Sequence, residues 1–188
     1  MATVVIPFAG AEGKTRLQAA RGVRNALALA MLADVVAACR PIGRTRVVTP
    51  DKELLEVAGV EIVSDPGEGQ GAAVAAALAG VEGPVLVVNA DVPCVVPEDL
   101  RALAEAAPAL VTATDGTTNA LSLPAAACFA PLYGAGSAAR FRAHAGAVSV
   151  VLPNLVDDVD TMDDLWRLEL RAGPRTRAAL GQLERLAS

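Results

Sequence analysis

Asp91, Asp158 and Asp160 are the residues of this sequence best suited to hold a cation. The run Val85-Leu-Val-Val-Asn-Ala-Asp91-Val-Pro93 reads as a buried strand that delivers a carboxylate to its own carboxyl end. Pro93 then stops further pairing. Asp91 is ill placed to cap the next helix, because Pro97 and Glu98 come six residues later, too far for a cap. In Val156-Asp-Asp-Val-Asp-Thr-Met-Asp-Asp-Leu165, Asp158 and Asp160 are two apart. In an extended segment they point to one side and Asp157 to the other. Three carboxylates of this kind offer an all-oxygen site for a hard divalent ion, most simply Mg²⁺. The plainer alternative for Asp158 and Asp160 is a solvated helix start. Thr161 with Asp164 resembles a capping box with Asp in place of the usual Glu or Gln, so Thr161, Asp163 and Asp164 read as structural.

Two glycine loops suggest phosphate handling. In Pro7-Phe-Ala-Gly-Ala-Glu-Gly-Lys-Thr-Arg-Leu17, Gly10 and Gly13 would let backbone amides approach a phosphate, with Lys14 and Arg16 supplying positive charge. Gly13-Lys14-Thr15 imitates the end of a P-loop, but that motif needs glycine where this chain has Phe8. A solvated glycine turn is the plain alternative. In Asp65-Pro-Gly-Glu-Gly-Gln-Gly-Ala72, Gly67, Gly69 and Ala72 satisfy a loose dinucleotide-binding pattern, with Asp91 about twenty residues on. That loop sits in the third unit rather than after the first strand. As a base-binding loop, its Gln70 could meet a guanine edge, with Gly71 beside it.

Short Val-rich runs alternate with Ala/Leu stretches, which predicts βαβ units and a mostly parallel sheet in one α/β domain spanning residues 1–188. Strands are expected at Thr3–Ile6, Thr45–Thr49, Glu61–Ser64, Val85–Asn89, Ala109–Ala113, Ala120–Leu123 and Val148–Leu152. Helices are expected at Val23–Cys39, Lys52–Val57, Ala72–Ala79, Glu98–Ala106, Ala138–Ala145, Asp163–Arg171 and Thr176–Leu186. Leu27, Met31 and Val35 give the first helix one apolar face. Such a sheet places ligands at the carboxyl edge of its strands, where all the segments above fall. The helix after Gly173-Pro174 reads as a packing helix, with a dimer contact as the alternative.

Hydrophobic residues make up 53% and aromatics 3%, so the core must be Ala, Val and Leu. A net charge of −5 argues against broad nucleic-acid or membrane-surface binding. Cys39, Cys94 and Cys128 form no CxxC pair and read as reduced thiols of a cytoplasmic protein. The single histidine, His144, leaves little for a zinc site and reads as a surface residue.

With these segments together, the chain resembles the 2-phospho-L-lactate and phosphoenolpyruvate guanylyltransferases that make the phosphate-linked precursor of coenzyme F-420. The resemblance runs nearly end to end. It rests on Gly13-Lys14-Thr15-Arg16-Leu17, on Ala30-Met31-Leu32-Ala33-Asp34-Val35 and on Ala90-Asp91-Val92-Pro93. It continues in Asp115-Gly-Thr-Thr-Asn-Ala-Leu121, in the Phe129–Arg140 block and in Asp158-Val-Asp-Thr161. It implies a three-layer, Rossmann-like nucleotidyltransferase fold with a mostly parallel mixed sheet. It implies Mg²⁺ held by Asp91, Asp158 and Asp160, and an acceptor's phosphate and carboxylate held by Thr118, Gly134 and Ser137. The catalytic set would be Lys14, Arg16 and Asp91. The nucleotide would lie on Gly13, Lys14, Arg16, Gln70 and Gly71. Gly134, Gly136 and Ser137 lead into a helix, which suits an anion nest. Two departures fall on the nucleotide side: Phe8-Ala9 where members commonly carry a lysine, and Gly69-Gln70-Gly71 where they often carry Gly-Leu-Asn.

The expected partners are GTP and a small phosphorylated carboxylic acid. The rival of the same fold uses 3-phosphoglycerate, a sugar phosphate or molybdopterin. The rival of another class is a dinucleotide-dependent oxidoreductase built on the Gly67–Ala72 loop.

Overall fold

Val4 and Ile6 face one side of the first strand and Val5 the other, and all three are fully buried. A strand apolar on both faces must be covered by helices on both, and this one is. The computed structural model describes residues 1–10, 17, 19–51 and 59–187. The strands are β1 (Ala2–Pro7), β2 (Gly43–Thr49), β3 (Glu61–Ser64), β4 (Val85–Val88), β5 (Ala109–Thr112), β6 (Thr118–Leu123) and β7 (Val148–Ser149). The helices are α1 (Arg21–Cys39), α2 (Gln70–Leu78), α3 (Pro97–Glu105), α4 (Ser137–Ala145), α5 (Pro153–Val156), α6 (Met162–Leu168) and α7 (Pro174–Ala187).

The strands form one sheet in the order β3-β2-β1-β4-β6-β5-β7. Pairing is parallel except around β6, which runs antiparallel to both β4 and β5. The cause is local. Between β5 and β6 the chain turns within a few residues, with Gly116 at φ +84° and the Thr117 amide donating to the Asp115 carboxylate at 2.9 Å. So short a connection can join only antiparallel neighbours. Helices α1, α3 and α5 cover one face through Leu32, Val35, Leu100, Leu103 and Leu155. Helices α2 and α4 cover the other through Ala73, Val74, Ala138 and Phe141. This is the three-layer mixed α/β architecture expected.

All seven expected strands are present. One expectation changes in detail. The last strand is only Val148–Ser149, because Pro153, which cannot donate to a ladder, opens the unforeseen helix α5. The helix expected at Lys52–Val57 lies outside the described residues. Leu27, Met31 and Val35 are buried as their spacing demands. Helix α1 is long and apolar enough to cross a membrane by composition, but half of that stretch is buried inside this domain. Thus α1 serves as a core helix.

Helix α7 is a packing helix. Leu180 is fully buried in a third cluster with Leu27, Met31, Leu165 and Leu168. Its first turn is capped from elsewhere in the chain: buried Asp34 of α1 accepts from the amides of Arg175 at 3.1 Å and Thr176 at 2.8 Å. A carboxylate at a helix N-terminus meets both free amides and a favourable dipole. The Gly173 amide also donates to the Pro93 carbonyl at 2.8 Å, so the same junction steadies the loop after Asp91.

Candidate active site

Strand β4 is buried on both faces, and its chain exits as Asn89-Ala90-Asp91 at the carboxyl edge of the sheet. The segment after α5 returns to the same edge, where the Val159 amide donates to the Asp91 carbonyl at 2.9 Å. That bond sets the Asp157–Asp160 segment beside Asp91. Carboxylate oxygens of Asp91, Asp158 and Asp160 all lie within 4.8 Å of one another. Asp157 faces away and pairs with Arg167 at 2.9 Å and Arg171 at 3.4 Å. The alternation expected of an extended segment is therefore present. Thr161 and Asp164 form the expected capping box: the Asp164 amide donates to Thr161 Oγ1 at 3.2 Å and the Thr161 amide to Asp164 Oδ2 at 2.9 Å.

Electrostatics make this cluster receptive to a cation. Burial pushes the Asp158 carboxyl above its usual range, and the neighbouring Asp91 carboxylate adds to the rise. Hydrogen bonds from its own backbone and from Asn119 act in the opposite direction. Three partly buried carboxylates at this spacing match the donor set of a hard divalent ion. The residues present fit Mg²⁺.

Open space adjoins the cluster. A cavity of about 230 Å³ is lined by Phe8, Asp65, Gln70, Asn89 and Asp91. It shares Gly69 and Gln70 with a larger cavity of about 510 Å³, whose opposite wall is Pro131, Tyr133 and Gly134. Gly71 has no room for a side chain, since a Cβ there would come within 2.8 Å of Pro131 Cβ. The N-terminus of α2 and the 131–134 segment therefore meet closely at the base of the larger cavity. Gly10 is buried at φ +84°, and the Asp51 carboxylate lies 2.6 Å from where its Cβ would be.

The expected acceptor residues come together in a particular way. Thr118 at the start of β6 and Ser137 at the start of α4 are buried, with their hydroxyls 3.1 Å apart and bonded to each other. Gly134 is exposed and lines the larger cavity, and its carbonyl accepts from the Ser137 amide at 2.9 Å. Arg140, one turn into α4, folds back on this loop. Its guanidinium donates to the carbonyls of Leu132 at 2.9 Å, Tyr133 at 3.1 Å and Ala135 at 2.6 Å.

Gly13, Lys14 and Arg16 lie outside the described residues. His144 is exposed on α4, as read from the sequence. Cys39 and Cys94 are buried free thiols, pushed up by burial, and Cys128 is a free thiol at intermediate depth. Asn89, Asn119 and Arg140 receive no role from sequence reasoning. The one signal for the first two is a carboxamide inside or just after an apolar strand, where a polar side chain needs a partner.

The model of the MobA-like NTP transferase domain matches residues 14–155. The chain belongs to that family. This nucleotidyltransferase is 37% identical over 205 residues to a phosphoenolpyruvate guanylyltransferase of Streptomyces coelicolor, covering 96% of each chain. It is 35% identical over 163 residues to one of Roseiflexus castenholzii, covering 80% of this chain and 78% of that one. Among solved structures, a nucleotidyl transferase from Methanothermobacter superposes with a TM-score of 0.61 at 18% identity, over 89% of this chain and 95% of that one. A 2-C-methyl-D-erythritol 4-phosphate cytidylyltransferase from Thermus thermophilus gives 0.58 at 17% identity, over 95% and 98%. These two likenesses concern the fold. Within it, the Gly67–Ala72 loop leads into α2 of a nucleotidyltransferase, and the oxidoreductase alternative lapses.

Proposed function

We propose that this nucleotidyltransferase moves GMP from GTP to a small phosphorylated carboxylic acid, phosphoenolpyruvate or 2-phospho-L-lactate, with release of pyrophosphate. The product would be the phosphate-linked precursor of coenzyme F-420, made in the cytoplasm. The observation that carries the reading is the Asp91–Asp158–Asp160 cluster beside a two-part cavity, in a chain whose full-length relatives bear the guanylyltransferase name.

Two highly charged phosphates must approach each other, so charge neutralisation governs the rate more than proton transfer does. Mg²⁺ held by Asp91, Asp158 and Asp160 would supply that neutralisation and polarise the phosphates it touches. The attacking phosphate oxygen is already ionised near neutral pH, so no general base is needed. An exposed His144, remote from any role, agrees with that chemistry. Gln70 and Gly71 line the nucleotide side, and Lys14 and Arg16 steady the departing pyrophosphate. Gly134 offers backbone to the acceptor, and the buried Thr118–Ser137 pair holds the loop that carries it. Substrate contact by either hydroxyl would exchange this mutual bond for one to a phosphate or carboxylate.

A pyrophosphate-release assay should be run with ATP, GTP, CTP and UTP against phosphoenolpyruvate, 2-phospho-L-lactate and 3-phosphoglycerate. Turnover is expected with GTP and one of the first two acids. Preference for another nucleotide, or for 3-phosphoglycerate, overturns the specific assignment.

A further inference from the structure

Asn119 lies on β6 with 1% of its surface exposed, and its side chain sits between the sheet and the segment that carries Asp158. Its Nδ2 donates to the carbonyls of Leu155 at 3.1 Å and Val156 at 3.0 Å, and reaches Asp158 Oδ1 at 3.4 Å. Backbone carbonyls only accept, so the nitrogen end of this amide must face α5 and Asp158. Its oxygen is thereby turned toward Asn89, whose Nδ2 lies 3.4 Å away. The same Asn89 nitrogen donates to the Thr118 carbonyl at 3.2 Å, which orients the second amide by the same logic. The Asn89 oxygen then accepts from Gln70 Nε2 at 2.8 Å. Four side chains from α2, the end of β4, β6 and the loop after α5 thus form one directed chain. It runs from the Gln70 edge shared by the two cavities to a carboxylate of the cation cluster.

We propose that Asn119 is the positioning residue of the cation site, holding the Asp158 carboxylate toward Asp91 and Asp160. This rests on the reading of the three aspartates as a divalent-cation site. Asn119 touches neither substrate nor cation and acts through Asp158. It does two things. Its hydrogen bond to Oδ1 holds the Asp158 carboxylate in place on the sheet side. Its bonds to Leu155 and Val156 also fix the backbone just before Asp157, so the carboxylate is presented in one orientation. Partners of this kind orient ligands, and their loss typically weakens metal affinity about 10- to 100-fold.

The test uses Mn²⁺ as an electron-paramagnetic probe, titrated into the full chain without substrates, with melting temperature measured alongside. The parent should bind Mn²⁺ and Asp158→Ala should lose most of that affinity. Asn119→Ala should weaken it about 10- to 100-fold. Asn119→Ser, which keeps a donor but is too short to span to Asp158, serves if the alanine variant fails to fold. Leu155→Ala is the matched control, since it loosens the same segment by cavity formation and leaves the amide in place. Under the proposal it lowers the melting temperature and leaves Mn²⁺ affinity near the parent value. Parent-like Mn²⁺ affinity in a folded Asn119 variant overturns the positioning role, as does an equal loss in Leu155→Ala. A parent that binds no Mn²⁺ overturns the cation reading itself, and the inference with it.

Discussion

The Asp91 side of the cleft presents charged side chains, whereas the Gly134 side presents backbone held in shape by buried or folded-back side chains. Asp91, Asp158 and Asp160 converge from β4 and the loop after α5, each contributing a carboxylate. Across the cavity, Gly134 contributes no side chain, Thr118 and Ser137 are bonded to each other, and Arg140 is engaged with three loop carbonyls. The two walls should therefore fail differently. Under the proposed function, removing a charge on the first wall should abolish turnover directly. Removing a brace on the second lets the surface relax and weakens recognition by degrees.

The largest effect is expected on the charged wall. Asp91→Asn keeps the side-chain shape but exchanges an anionic ligand for a neutral amide, which is a poor partner for Mg²⁺. Turnover should fall to near background while the circular dichroism spectrum remains that of the parent. Near-parent turnover in the variant, or in excess chelator, would move the chemistry away from these carboxylates.

On the braced wall, Arg140→Ala should raise the acceptor KM with much less change in the nucleotide KM. Charge-assisted hydrogen bonds are worth about 1.5–3 kcal/mol where they are shielded. Arg140 is exposed, so the low end applies and the expected change is about tenfold. Arg140→Lys should rescue little, because one ammonium cannot spread over the carbonyls of residues 132, 133 and 135 as a planar fork does. Equal changes in both KM values would mean that the loop serves the two substrates together.

The same contrast explains what could be read in advance. Asp91, Asp158 and Asp160 were legible because a carboxylate after a Val run, and two more at spacing two, carry their geometry in local pattern. Seven strands were legible for the same reason. The buried union of Thr118 with Ser137 was not, because it depends on how β6 and α4 pack across the sheet. Nor was the amide chain through Asn89 and Asn119, which joins residues 30 and 39 positions apart. Asp34 is a further case. A lone acid in an apolar helix looks like an exposed polar position, yet it is buried and caps a helix 141 residues away.

That cap gives a stability prediction of intermediate size. Asp34→Ala leaves the first-turn amides of α7 without their acceptor. Loss of an N-cap acceptor costs about 0.5–2 kcal/mol, and each kcal/mol lowers the melting temperature by about 2–4 °C in a chain of this size. Mn²⁺ affinity should stay close to the parent value. A melting temperature unchanged in Asp34→Ala would show that apolar packing through Leu180 alone holds α7 in place.

The smallest expected effect has the opposite sign from the rest and reports on the cluster without any substrate. Burial and Asp91 raise the Asp158 carboxyl, so without metal the folded chain binds more proton there than the unfolded chain in the window between the ordinary and the raised values. Wherever the native state binds more protons than the unfolded one, stability falls as pH rises. The loss begins in the ordinary carboxylate range and is complete above the raised value. Asp158→Asn removes the charge with nearly the same shape and keeps an acceptor for Asn119. In chelator at neutral pH the variant should melt slightly above the parent, and the gap should close as the pH is lowered through the carboxylate range. Added Mg²⁺ should reverse the order, because a ligand that binds only the native state stabilises it by mass action and the variant has lost one of its three ligands. A parent that is the more stable in both chelator and Mg²⁺ would mean that local hydrogen bonds, not repulsion among the carboxylates, dominate at Asp158.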